Sequence, residues 1–165
     1  MKTLLAYILL LVALPTTIAL ALDPPQGTVL LTINGKITTT NTEGAAQFDV
    51  AMLQALPQKT IKAETPWTAG VTKFSGPLLR DVLQMVGANG DSLLMTAINE
   101  YQVKVPVTDA NFFNCILAMS VDGEILTIRT KGPLWLIYPW DTFDALRTET
   151  YYSRSIWQLK AIEIQ

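Results

Sequence analysis

The chain has 165 residues and no histidine, and Cys115 is its single cysteine. The missing imidazole removes the commonest general base and the commonest transition-metal ligand together. Ser–His and Cys–His nucleophile pairs are therefore excluded, and a zinc, copper or non-haem iron site would have to be built from carboxylates. A lone cysteine makes no internal disulfide. The neighbours Phe112, Phe113, Ile116 and Leu117 predict that Cys115 packs as a small hydrophobe. Basic residues are also few and scattered. Without Lys2, 11 of them stand against 14 acidic residues, a net charge of −3, so no nucleic-acid partner is expected. No internal repeat and no low-complexity tract is present.

What the chain does have begins with an apolar leader. Lys2 is the only charge before Asp23, Leu4 to Leu14 is apolar almost throughout, and Pro15 breaks the run. Ala19-Leu20-Ala21 has the small-x-small form of a cleavage site. This pattern predicts a secretory signal peptide over residues 1–21, cleaved after Ala21, and an exported protein. The rival, a membrane anchor, needs roughly 20 uninterrupted apolar residues. Residues 22–165 then read as one domain, long enough to bury a real core.

Period and punctuation sketch that domain. Thr28 to Ile33 predicts a strand, Asn34-Gly35 a hairpin turn, and Ile37 to Thr40 the returning strand. Phe48, Met52, Leu53 and Leu56 recur at helical spacing behind Asp49, and Pro57 stops that helix. Lys59 to Glu64 alternates as a strand. Thr65 to Gly76 shows neither period and reads as a loop. Pro77 takes the first position of a helix whose stripe is Leu78, Leu79, Val82, Leu83 and Val86. Strands are predicted over Ser92 to Ala97, Gln102 to Val107, Ile116 to Val121, Ile125 to Arg129, Leu134 to Tyr138 and Ile156 to Ile164. Asp109 to Asn114 is a connection or helical turn, and the polar run from Trp140 to Ser155 has helical potential. Many short strands with few helices, not in βαβ alternation, predict an α+β fold with a mixed sheet.

Aromatic residues collect where regular structure does not. Trp67, Phe74, Tyr101, Tyr138, Trp140, Tyr151, Tyr152 and Trp157 all fall in or beside irregular segments. Rings grouped with a few polar residues suit a planar ligand. They also suit the anchoring of loops to a core, and both readings stay open on the residues alone.

An ordered set of short motifs carries a resemblance. Phe74-Ser-Gly-Pro-Leu-Leu-Arg-Asp-Val-Leu83, Ala97-Ile-Asn-Glu-Tyr101, Val105-Pro106, Ile116-Leu-Ala118 with Asp122-Gly123, Lys131-Gly-Pro-Leu-Trp-Leu-Ile-Tyr-Pro139 and Ser155-Ile-Trp-Gln-Leu159 follow one another in that order. Together, over about residues 28 to 165, they resemble the molybdopterin-binding domain of sulfite oxidase-type enzymes. The departure is informative. Those enzymes carry a molybdenum-ligating cysteine just before the motif containing Phe74 and Gly76, and Thr65-Pro-Trp-Thr-Ala-Gly70 has none. The small secreted form, with Thr65-Pro-Trp-Thr68, is similar to bacterial periplasmic pterin-binding proteins.

That resemblance implies a non-catalytic sensor. A free pterin binds without molybdenum, and the loaded protein engages the periplasmic domain of an inner-membrane diguanylate cyclase/phosphodiesterase. The alternatives are a molybdenum-cofactor oxidoreductase subunit and an interaction module that takes no ligand. A pterin needs an aromatic or guanidinium plane, offered by Trp67, Tyr101, Trp157 or Arg154. It also needs a carboxylate or carbonyls for its N–H edge. Asp141 is the first candidate, with Glu100 and Asp109 behind it. Lys131 and Arg154 suit the pterin carbonyl or a side-chain hydroxyl, and Gly132 permits close backbone approach. The resemblance implies contacts from Ser153, Arg154 and Ser155, the segment before the last strand. Thr65, Thr68 and Asn99, from the same polar segments, complete the candidate set.

Overall fold

The structure is a computed structural model that describes residues 22–165. The predicted signal peptide, residues 1–21, lies outside the described residues. The fold is α+β, with strands β1 (Leu31–Gly35), β2 (Ala45–Phe48), β3 (Gln58–Glu64), β4 (Val71–Pro77), β5 (Ser92–Ala97), β6 (Gln102–Pro106), β7 (Ile116–Ala118), β8 (Ser120–Val121), β9 (Glu124–Ile125), β10 (Trp135–Ile137) and β11 (Leu159–Ile164). Four short helices interrupt them: α1 (Val50–Ala55), α2 (Leu79–Met85), α3 (Val107–Phe113) and α4 (Glu149–Arg154). Single 3-10 turns occur at Ile128–Thr130 and Asp144–Leu146.

The strands form three sheets, ordered β2-β1-β11-β5-β6, β10-β7 and β3-β4-β8-β9. Among the described residues, only β1 and β11 pair in parallel; the other ladders are antiparallel. The first sheet is therefore mixed. Its side-chain alternation is clear in β5, where Leu93, Met95 and Ala97 are buried between half-exposed Ser92, Leu94 and Thr96. The last strand closes the sheet at its centre, with Ile162 opposite Ile33 on one side and Met95 on the other.

β10 answers to a different pattern. Trp135, Leu136 and Ile137 are all buried, as are their partners Ala118, Leu117 and Ile116 on β7. This pair is covered on both faces, which is why "LWLIY" reads as a continuous apolar run. Cys115, just before β7, is fully buried as expected, and burial pushes its thiol up.

Asp49 caps α1 through its side chain. One carboxylate oxygen accepts from the Met52 N–H at 2.9 Å, and the other accepts from Gln26 and Gly27 at 2.8 Å each. These bonds, led by Met52 and then Gly27, hold the Asp49 carboxyl below the usual carboxylate range.

Five predicted elements are corrected. Ile37 to Thr40 is not the return of a hairpin: β1 pairs instead with Ala45–Phe48. The backbone N–H groups of Thr38 and Thr39 donate to Val86, at the end of α2. Gly35 ends β1 with φ of +85°, and a Cβ there would meet the Ile164 carbonyl oxygen at 2.2 Å, so this glycine serves close strand approach. The second correction is β4, which takes up the second half of the loop predicted over Thr65 to Gly76. Thr72, Phe74 and Gly76 point inward, so a polar and a side-chainless residue at buried positions disguise the alternation. Third, Pro77 is the last residue of β4, and α2 starts two residues later. The predicted Ile116 to Val121 strand is divided at Met119 into β7 and β8, and the predicted Ile125 to Arg129 strand holds only the last residue of β9 and the start of a 3-10 turn.

Candidate ligand-binding site

Three irregular segments meet at one cavity of about 320 Å³. The β3–β4 loop contributes Trp67. The β5–β6 turn contributes Asn99 and Tyr101 beside Ala97. The stretch from α4 to β11 contributes Glu149, Tyr152, Ser153, Ser155, Ile156 and Trp157. The size lies at the lower end of small-ligand pockets, and the wall is mostly apolar with few polar groups, as such pockets are.

The rings of this wall are not equivalent. Trp67 touches four others, with centroid distances of 5.8 Å to Trp135, 5.9 Å to Trp140, 5.8 Å to Tyr152 and 5.7 Å to Trp157. Three of these contacts are edge-on, the favoured aromatic geometry. Trp67 is thus a wedge that fixes its loop to the core and presents part of its surface to the cavity. Tyr101 and Trp157 are freer, at 49% and 38% exposed. The Lys131 ammonium sits 5.4 Å from the Trp157 ring centroid. Behind Trp67, the fully buried Trp140 indole N–H has no hydrogen-bond partner.

Each segment is held by its own polar bonds. Thr65 and Thr68 share a hydroxyl bond of 2.8 Å, and the Trp67 N–H donates to Thr65 Oγ1 at 3.2 Å. In the β5–β6 turn, Asn99 Oδ1 accepts from the Tyr101 N–H at 3.2 Å, and Glu100, with φ of +66°, pairs with Lys160. Ser155 is buried; its hydroxyl donates to the Tyr151 carbonyl at 2.7 Å, while its own carbonyl accepts from the Trp135 indole at 3.0 Å. Ser153 donates to Thr150 at 2.8 Å. The chain before β11 is then stitched to β10 through Leu136 N–H to the Ile156 carbonyl, 2.9 Å.

Of the twelve residues singled out in the sequence, Trp67, Asn99, Tyr101, Ser153, Ser155 and Trp157 line this cavity. The other six do not. Thr68 and Lys131 border a second cavity of about 450 Å³ on the other flank of Trp67. Thr65 is buried in the loop turn that it shares with Thr68. Gly132 faces protein, since a Cβ there would lie 2.5 Å from the Leu126 backbone. Asp141 pairs with Arg147 and accepts from the Glu64 N–H, so its carboxylate is engaged elsewhere. Arg154 turns away to Asp109: its guanidinium donates to the carboxylate at 2.9 Å, and the same oxygen accepts from the Tyr138 hydroxyl at 2.8 Å. Burial pushes the Tyr138 phenol up, with Cys115 and Asp109 adding to it. Asp109 is thus part of a buried polar cluster, and Glu100 is an exposed ion-pair partner.

Sequence reasoning passed over Glu149 and gave Tyr152 no site role. The signal was present: Glu149, Tyr152 and Ser153 stand at i, i+3 and i+4, one face of a helix. No thiol reaches the cavity. Cys115 lies between α3 and β7, and no group of three or more Cys, Asp or Glu residues able to hold a metal ion occurs among the described residues.

The architecture has solved counterparts. The chain aligns with the crystal structure of the sulfane dehydrogenase SoxCD from Paracoccus pantotrophus at 19% sequence identity and a TM-score of 0.60. The alignment covers 81% of this chain but 37% of that one, so this chain spans little more than a third of its length. No curated protein matches the chain. Residues 31–145 match the family model described as the oxidoreductase molybdopterin binding domain, and the chain therefore belongs to that family.

Proposed function

We propose that the protein binds a free pterin in the cavity between the Tyr101 turn and the Trp157 segment and works as a sensor, not as a redox enzyme. The observation that carries this reading is the chemistry of the cavity wall. It offers the flat, half-exposed rings of Tyr101 and Trp157 and the polar groups of Asn99, Ser153 and Glu149. A fused bicyclic heterocycle fits such a wall through stacking and edge hydrogen bonds. Family membership supports a pterin-type ligand.

The residues present suit the organic part of the family's cofactor and not its metal. The loop from Thr65 to Gly70 holds two threonines and a tryptophan, and no cysteine. Cys115 is fully buried and its thiol is pushed up by burial, the opposite of what a thiolate ligand needs. We derive no redox step through molybdenum for this chain.

Two further parts of the proposal rest on the sequence. The leader over residues 1–21 exports the chain to the periplasm, which mass spectrometry of the mature N-terminus at Leu22 tests. The loaded protein engages the periplasmic domain of an inner-membrane diguanylate cyclase/phosphodiesterase; this rests on the resemblance to periplasmic pterin-binding proteins.

The test is composition. Protein purified from a host that makes the molybdenum cofactor, then incubated with a reduced pterin, should hold about one pterin and no stoichiometric molybdenum. Stoichiometric molybdenum would overturn this reading and support the oxidoreductase alternative. Protein that takes up neither would be a module without this ligand.

A further inference from the structure

On the reading that the cavity takes a pterin, we infer that Glu149 is the residue that recognises the ligand's 2-amino and N3–H edge and so sets its specificity. Glu149 is the only ionisable carboxylate or cation in the cavity wall among the described residues; the other polar side chains there carry amide, hydroxyl, phenol and indole groups. It makes no ion pair with any described residue, unlike Asp141, Glu100 and Asp109, the three carboxylates that the sequence put forward. Its carboxylate is therefore the one acidic group at the cavity free to bond a ligand.

The chemistry is directional. A pterin presents two parallel N–H donors, the 2-amino group and N3–H, and an ionised carboxylate accepts both. A lumazine keeps N3–H but carries a carbonyl in place of the 2-amino group. That carbonyl would face the carboxylate oxygen to oxygen, an acceptor against an acceptor. Glu149 therefore separates pterins from lumazines of the same shape. Its position in the first turn of α4 gives it a second, purely structural interaction with the helix N-terminus, which carries no such selectivity.

The experiment is titration calorimetry of the mature protein and its Glu149→Gln and Glu149→Ala variants. The probes are neopterin and the lumazine with the same trihydroxypropyl side chain. Wild-type protein should bind neopterin at least tenfold more tightly than the lumazine. Glu149→Gln should lose about tenfold to a hundredfold for neopterin, the range expected for a charged hydrogen bond. It should also narrow or reverse the preference, since a glutamine amide can donate to the lumazine carbonyl. Glu149→Ala should weaken neopterin binding without improving the lumazine in the way glutamine does. Neopterin bound equally well by wild type and Glu149→Gln would overturn the role of Glu149 and leave the pterin reading standing. Wild-type protein that binds neither probe would overturn both.

Discussion

The two ends of α4 sit five residues apart and do opposite things. At the first turn, Glu149 is exposed, unpaired among the described residues and open to the cavity. At the last turn, Arg154 is drawn inward to buried Asp109, which also accepts from the fully buried Tyr138 hydroxyl. A six-residue helix is far too short to hold itself in water, so tertiary contacts must fix it. The Arg154 end supplies that fixing, and the Glu149 end, with Tyr152 and Ser153 on the same face, lines the cavity. A charge that looks functional in the sequence can thus be structural, and its less noticed neighbour can carry the recognition.

Mutations at the two ends should separate these roles. The largest effect is expected from Asp109→Ala, which strands the Arg154 charge and the buried Tyr138 hydroxyl. Removing one partner of a buried pair costs about 3–5 kcal/mol, and chemical denaturation should show a loss of about 3 kcal/mol or more. A loss below about 1 kcal/mol would mean that the cluster does not hold α4. Next comes Trp157→Ala, which removes a half-exposed ring from the cavity wall. Base-type stacking is worth about 1–3 kcal/mol, so pterin affinity should fall about tenfold to a hundredfold. Its melting temperature should drop far less than that of Trp67→Ala, because Trp67 is wedged among four rings. Equal melting losses would erase the distinction between wedge and platform.

Smaller effects sharpen the comparison. Tyr138→Phe removes one donor to Asp109 and leaves the Arg154 bond in place, so the unfolding free energy should fall by about 1 kcal/mol. A fall as large as that of Asp109→Ala would show that the phenol, not the guanidinium, is the main partner. The smallest stability change belongs to Glu149→Gln, an exposed site, where the unfolding free energy should stay within about 0.5 kcal/mol of wild type. A larger loss would make Glu149 a structural residue of α4.

How much of this was readable from the chain depended on how local the cause was. The α2 stripe of Leu79, Val82, Leu83 and Val86 is buried as its helical spacing requires. Asp49 was visible before α1 because a cap bonds only three residues ahead. β4 was hidden, since its inward positions are Thr72, Phe74 and Gly76, and burial against β3, β7 and β8 overrides their weak alternation. The cavity's aromatic character was legible from rings in irregular segments. Which charges serve it was not. Arg154 finds Asp109 45 residues away, and Asp141 finds Arg147 and the Glu64 N–H. Neither pairing leaves a trace in local sequence, whereas the i, i+3, i+4 face of Glu149, Tyr152 and Ser153 does.

The central claim is that the cavity edged by Tyr101, Trp157 and Glu149 holds a pterin. A crystal of the mature protein soaked with neopterin tests it most directly. The account predicts density for the bicycle against the Trp157 or Tyr101 ring, with its amino edge at the Glu149 carboxylate. A bicycle seated instead in the second cavity beside Lys131 and Thr68, or a crystal that takes up no ligand at saturating neopterin, would contradict it.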